Sequence, residues 1–158
     1  MTCDLNLAPQ AIFVSETIIK KISSLEKSEG ILAEVELPSR GEFLPSNRIL
    51  ALDHIQDPGN MGSLLRSALA FNFNTICLVG NCVDPYNDKA LRAARGATFH
   101  LRIYKVEKET LLELRNSGYT CIVADIEGKA PSSMKALKKA LLILGNEAHG
   151  PSFFEGAH

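Results

Sequence analysis

The sequence predicts an α/β fold, a mainly parallel sheet with helices on both faces. Two observations carry this expectation. From residue 48 onward, short apolar runs alternate with segments of helical periodicity. Those runs are continuously apolar instead of alternating with polar residues, as expected of strands covered on both sides. The length of 158 residues suits one compact domain with a sizeable core.

The elements follow in order. Residues 12–25 mix apolar and polar positions at helical spacing, Glu29-Gly30 reads as a turn, and residues 31–37 read as a strand. One helix and one strand cannot bury a core, so residues 1–38 are set apart as a first piece. Residues 39–47 are rich in Pro, Gly and Ser and read as a linker. The main domain is then assigned to residues 48–158. Its first strand is the apolar run 48–52, followed by the Pro58-Gly59 turn and a helix over 60–72 with Asn60 as its cap. A strand over 75–79 stops at Gly80, and a helix over 88–95 stops at Gly96. A strand is expected over 99–106, a helix over 107–116 closed by Gly118, and a strand over 119–124. A short helix over 132–139, capped by Ser132 or Ser133, precedes the last strand, 141–144, which ends at Gly145.

Composition narrows the function classes. Hydrophobic residues make up 46% and charged residues 22%, which excludes wholesale disorder and coiled coils. Seventeen Lys and Arg against eighteen Asp and Glu give a net charge of -1, so the chain is no generic polycation. Contact with nucleic acid would need a local patch. Lys89, Arg92 and Arg95 recur on one helix, Arg102 and Lys105 follow, and Lys135, Lys138 and Lys139 form a second cluster. Aromatic residues are only 6%, so base stacking does not dominate. No run approaches the length of a membrane span, and the opening MTCDLNLAPQ, with Asp4 and no Lys or Arg, does not read as a secretory signal. Cys3, Cys77, Cys82 and Cys121 form no CxxC pair and have no His at ligand spacing. Reduced cysteines, a cytoplasmic home and no bound metal are therefore expected, with Cys82 exposed in a polar loop.

Two segments carry candidate chemistry. In the first, Leu52-Asp53-His54-Ile55-Gln56-Asp57-Pro58-Gly59-Asn60-Met61-Gly62-Ser63-Leu64-Leu65-Arg66-Ser67, a strand feeds a turn and a helix. A helical wheel places Met61, Leu64, Leu65, Ala68 and Leu69 on one arc, and Gly62, Ser63, Arg66 and Ser67 on the other. Arg66 thus projects from the core near the ligand-binding edge of such a sheet, and Gly62 leaves room for a close neighbour. In the second, Leu144-Gly145-Asn146-Glu147-Ala148-His149-Gly150-Pro151, a strand ends in a loop with two glycines and a carboxylate. No Lys-Ser or Lys-Thr follows, so a Walker phosphate loop is excluded, and no GxGxxG follows any strand. By themselves these residues also fit a capped surface helix with a solvated arginine, and a loop carboxylate capping nearby backbone.

The pair LDHIQDPGNMGSLLRSALAFNFNTICLVG and LLILGNEAHG resembles the first two motifs of the SpoU family of RNA 2′-O-ribose methyltransferases, of the SPOUT class. The resemblance spans residues 48–151 and rests on Asn60-x-Gly62-x-x-x-Arg66 and on Gly145-Asn146-Glu147-x-x-Gly150. Ser28-Glu29-Gly30-Ile31-Leu32-Ala33 is similar to the end of the substrate-binding domain that precedes many members. The resemblance implies an α/β knot, S-adenosylmethionine as cofactor, transfer or ribosomal RNA as substrate, and a homodimer. It implies Arg66 as the catalytic arginine, with Asn60 and Glu147 supporting it. Leu144, Gly145 and Asn146 would hold the cofactor, and Ala124 and Asp125 would line its adenine side. A third motif should follow Glu147, but the sequence closes with Pro151-Ser152-Phe153-Phe154-Glu155-Gly156-Ala157-His158. A truncated form with an incomplete knot is therefore expected, poorly soluble alone and binding cofactor weakly or not at all.

Arginine is normally protonated, so Arg66 has two conceivable roles. It could give up a proton beside the sulfonium and act as base, or stay a cation that clamps a phosphate and stabilises the developing alkoxide. Two rival readings stand beside the enzyme. One is a catalytically incomplete remnant that binds RNA or cofactor. The other is an unrelated flavodoxin-like domain taking a phosphate ligand at Asn60-Met61-Gly62.

Overall fold

The computed structural model describes residues 11–23, 30–38, 41–124 and 137–146. The chain divides into two compact units, Met1–Leu37 and Pro38–His158.

In the first unit, helix α1 covers Glu16–Ile22, shorter than expected, and buries none of its residues. A Glu16–Lys20 ion pair of 2.6 Å spans one turn. Residues 31–37 form no strand. Ile31, Leu32, Val35 and Leu37 are all exposed, and an alternating pattern makes a strand only when a ladder partner takes up its backbone groups.

The second unit holds the sheet. Its elements are β1 (Arg48–Asp53), α2 (Pro58–Ala70), β2 (Thr75–Val79), α3 (Asp88–Ala94), β3 (Arg102–Lys105), α4 (Lys108–Asn116), β4 (Thr120–Val123) and β5 (Ala140–Leu144). The strands pair in parallel in the order β3-β2-β1-β5-β4. The expected fold class is therefore the observed one. The strand expected from residue 99 starts only at Arg102, because Gly96, at φ 86°, turns the chain into a 3-10 helix over Ala97–His100. Of the expected helix over 132–139, residues 132–136 lie outside the described residues, and 137–139 are not helical.

Alternate strand residues face opposite layers. Leu50, Leu52, Ile76 and Leu78 pack with Met61 and Leu65 of α2 and Ala90 and Ala94 of α3. Ile49, Ala51, Cys77, Val79, Leu141 and Ile143 pack with Leu111 and Leu114 of α4. Burial of each Leu or Ile contributes about 1.5–3 kcal/mol. Continuous apolar strands are thus the sequence form of a sheet covered twice. Burial also pushes the Cys77 thiol up to about 12, so it behaves as a small hydrophobe.

Two expectations change on packing. Gly62 lies not on the outer arc of α2 but buried beside Met61, Leu65 and Ala68, because α3 covers that flank. The described part of the expected linker, residues 41–47, is stitched to the sheet. The Ser46 N–H donates to Thr75 Oγ1 at 3.2 Å, and Tyr119 Oη donates to the Ser46 carbonyl at 2.9 Å. Phe43 meets Tyr104 edge-on, with ring centroids 5.1 Å apart.

Candidate functional site

Strands β1 and β5 lie side by side, with Leu52 opposite Leu144 at their carboxyl ends. The chain leaves β1 toward β2 and β3 on one side, while β4 pairs with β5 on the other. Strand order reverses at this point, and the diverging connections leave a crevice there. A cleft of about 380 Å³ occupies it, within the range of about 300–1,000 Å³ usual for small-molecule sites. One wall is Ile55, Gln56 and Asp57 after β1, with Asn60, Ser63 and Leu64 of α2. The other is Leu144, Gly145 and Asn146.

The start of α2 sets the first wall. Its cap is Asp57, not Asn60 as expected: an Asp57 carboxylate oxygen accepts the Asn60 N–H at 2.8 Å. Pro58, which has no N–H to satisfy, suits the first helical position, so the helix begins two residues early. Asn60 is thereby a helical residue whose place is on the cleft wall. The Asn60 N–H holds the Asp57 carboxyl below the usual carboxylate range, and Lys89, 3.5 Å away, adds to this against some opposing desolvation.

A depressed folded value has a definite sign. The cap contributes stability that is present above the unfolded carboxylate value and is lost as the pH falls through the folded one. Asp57→Asn keeps an acceptor for the helix but removes the titrating charge. Its melting temperature is expected to fall less steeply in acid than that of the parent, by calorimetric scans across the acid range. Identical acid profiles would refute this role.

The structure places the other candidates as follows. Leu144, Gly145 and Asn146 join Asn60 at the cleft. Arg66 is exposed, as expected, on α2 beyond Ser63, but it is not among the residues that line the cleft. Ala124 is exposed past the end of β4, its N–H donating to the Ile143 carbonyl at 3.1 Å. Asp125, Glu147 and His149 lie outside the described residues, as does everything assigned to Gly150 and beyond, including the completeness of the knot.

Several neighbours escaped the sequence reading. Gln56, Asp57 and Ser63 line the cleft, although they stand inside the first motif and their polarity beside a turn was the available signal. His54 Nδ1 meets Asp53 Oδ1 at 2.5 Å, and the Asn146 side-chain amide donates to the His54 carbonyl at 3.2 Å. Cys82, expected to be exposed, is half-buried, and its thiol reaches the Leu52 and Val79 carbonyls at 3.4 and 3.3 Å. Burial raises that thiol above its ordinary value. Lys89, Arg92, Arg95, Arg102 and Lys105 are all exposed, with Arg92 paired to Asp88 at 2.8 Å. Among the described residues, no group of three metal-ligating side chains comes together, and no helix is long and apolar enough to cross a membrane.

A parallel sheet with a cleft at the carboxyl ends of its strands, where their order reverses, is the ligand-binding arrangement of open α/β proteins. Within that class the identity is specific. The SpoU rRNA methylase family matches residues 47–153, and the chain belongs to it. It is 28% identical over 149 residues to a 23S rRNA (guanosine(2553)-2′-O)-methyltransferase of Bacillus subtilis, covering 93% of this chain and 60% of that protein. The structure of a putative RNA methyltransferase of the TrmH family from Porphyromonas gingivalis superposes with a TM-score of 0.74 at 29% identity, over 85% of this chain and 55% of that one. An AdoMet-bound rRNA methyltransferase from Sinorhizobium meliloti superposes with a TM-score of 0.59 at 30% identity, over 65% of this chain and 41% of that one. Family membership removes the unrelated flavodoxin-like reading.

Proposed function

We propose that this chain carries the methyl-transfer domain of an RNA 2′-O-ribose methyltransferase, with S-adenosylmethionine in the cleft between β1 and β5. One observation supports this most: the fold brings Asn60 of the first motif against Gly145 and Asn146 of the second, across a cleft at the strand ends. The residues present fit such a ligand. Ile55, Leu64 and Leu144 offer apolar wall, while Asn60, Ser63 and Asn146 offer side-chain donors and acceptors for hydroxyl, amine and carboxylate groups. The bound cofactor supplies an electrophilic methyl group on a sulfonium.

The chain's own residues position and stabilise. Leu144, Gly145 and Asn146 hold the cofactor, with Ala124 and Asp125 on its adenine side. Arg66, exposed on α2, stays a cation that clamps an RNA phosphate and stabilises negative charge developing on the ribose oxygen. Asn60 and Glu147 support it. Positioning of the ribose oxygen in line with the methyl contributes about 7–11 kcal/mol in favourable cases. Lys89 and Arg92 on α3, with Arg95 just past its end, supply local positive charge for RNA despite the net charge of -1. Residues 1–38 belong, in this reading, to an RNA-binding unit. A homodimer acting in the cytoplasm completes the proposal.

The test supplies labelled S-adenosylmethionine and unmodified ribosomal or transfer RNA, then digests the RNA to nucleosides. Label is expected on ribose 2′-oxygens. Label on bases or on protein would refute the reading.

A further inference from the structure

The turn that leaves β1 is built in an expensive way. His54 has φ 55°, a left-handed conformation that a glycine would adopt without strain. Asp53 beside it is fully buried, although an isolated buried carboxylate is costly. The two costs are joined, because Asp53 Oδ1 meets His54 Nδ1 at 2.5 Å. A carboxylate only accepts, so Nδ1 carries the proton of this contact. The ring lies over Gly80, where a Cβ would fall 2.3 Å from Cε1 and 2.6 Å from Nε2 of the imidazole. Gly80 itself has φ 64°, so both its backbone and the space above it suit glycine.

The backbone of His54 is equally engaged. Its N–H donates to the Val79 carbonyl at 3.2 Å, fixing it to the end of β2. Its carbonyl accepts from Asn146 Nδ2 at 3.2 Å, across to the end of β5. The next three residues, Ile55, Gln56 and Asp57, form one wall of the cleft, and Asn146 belongs to the other. Rotation of His54 would therefore move both walls together. Strain of this kind beside a cleft points to a role in the site more than in the fold.

We propose that His54 is a positioning residue for the cofactor cleft: the buried Asp53 carboxylate clamps its ring over Gly80, and its carbonyl, so fixed, holds Asn146 across the cleft. This rests on the reading that the cleft takes an adenosyl ligand. His54 acts through the two walls and does not itself touch the reacting atoms.

The experiment uses S-adenosylhomocysteine as calorimetric probe and ¹⁵N NMR of the imidazole and of the Asn146 side-chain amide. His54→Gly keeps the backbone conformation and the carbonyl but deletes the ring. Asp53→Asn keeps the shape but removes the charge. Each is expected to weaken S-adenosylhomocysteine about tenfold, the size of one lost charge-assisted contact, and the double variant is expected to be no weaker than the weaker single one. In the parent, His54 Nδ1 is expected to carry a proton, and His54→Gly is expected to shift the Asn146 amide signal. A ring whose Nδ1 carries no proton, or unchanged affinity in both single variants while the parent binds, would overturn the proposal. Absence of S-adenosylhomocysteine binding by the parent bears on the functional reading, which the methyl-transfer assay decides, and not on the clamp. The Asn146 signal then decides the mechanical link alone: a shift in His54→Gly supports it and no shift refutes it. The ring measurement on the parent stands even if Asp53→Asn fails to fold.

Discussion

Arg66→Ala is expected to abolish methyl transfer to RNA while leaving the fold and cofactor binding intact. The side chain is exposed on α2, opposite the buried stripe of Met61, Leu65 and Ala68, so its loss opens no cavity. Exposed substitutions of this kind usually change stability by less than about 0.5 kcal/mol. Arg66 also stands outside the cleft lining, so affinity for S-adenosylhomocysteine should be unchanged. Catalysis is a different matter. Removal of one group that stabilises developing negative charge commonly costs about 100- to 1,000-fold in rate. Arg66→Lys is expected to fail nearly as badly, because an ammonium is a point charge and cannot reproduce a planar fork of donors. Single-turnover transfer of labelled methyl, with calorimetry beside it, separates the two effects. Full activity in Arg66→Ala would remove this residue from the mechanism.

Gly62→Ala should be among the most damaging small changes in the sheet domain. A Cβ there would lie 2.2 Å from the Ala90 carbonyl oxygen, 2.6 Å from Ala93 Cβ and 2.8 Å from the Ala94 nitrogen. Two of these are backbone atoms of α3, which no side-chain rotation can move aside. The helices must separate, and overpacking of this sort costs about 1–3 kcal/mol or more. Alanine's better helix propensity returns about 1 kcal/mol at most, so the net sign is destabilising. Denaturant titration should show a lowered midpoint. Gly41→Ala is the control, since nothing lies within 4 Å of a Cβ built there. A midpoint in Gly62→Ala equal to the parent's would mean that α2 and α3 can part without loss. Because α2 also carries Asn60, Ser63 and Leu64, a surviving Gly62→Ala protein should bind ligand less well too.

Continuous apolar runs at 48–52, 75–79 and 141–144 sufficed to predict strands buried on both faces, since that pattern is required whatever the neighbours are. Gly118, at φ 88°, follows the end of α4 as expected, because that backbone conformation favours glycine locally, whereas α3 ends one residue early, with Arg95 itself left-handed at φ 52° before Gly96. The two motifs were legible only through resemblance to a known family: by residue type and spacing alone, Asn60, Arg66, Gly145 and Asn146 fitted a capped surface helix and a loop equally well.

What packing controls was not legible. An apolar pattern at residues 31–37 did not make a strand, because pairing requires a partner that periodicity does not supply. The inward turn of Gly62 depends on α3, a helix that begins at Asp88, far along the chain. The cap fell to Asp57 because carboxylate geometry and Pro58 outweighed the preference of Asn60 for that position. Gly80 and Asn146 looked unrelated to the neighbouring pair Asp53-His54 in sequence, since their contacts with His54 join the ends of three different strands. Residue pattern thus determined the class of sheet, through rules that act within a few residues, and the family resemblance picked out both motifs. The cleft between those motifs, and the clamp beneath it, were decided only when parallel pairing in the order β2-β1-β5 brought distant strand ends into contact.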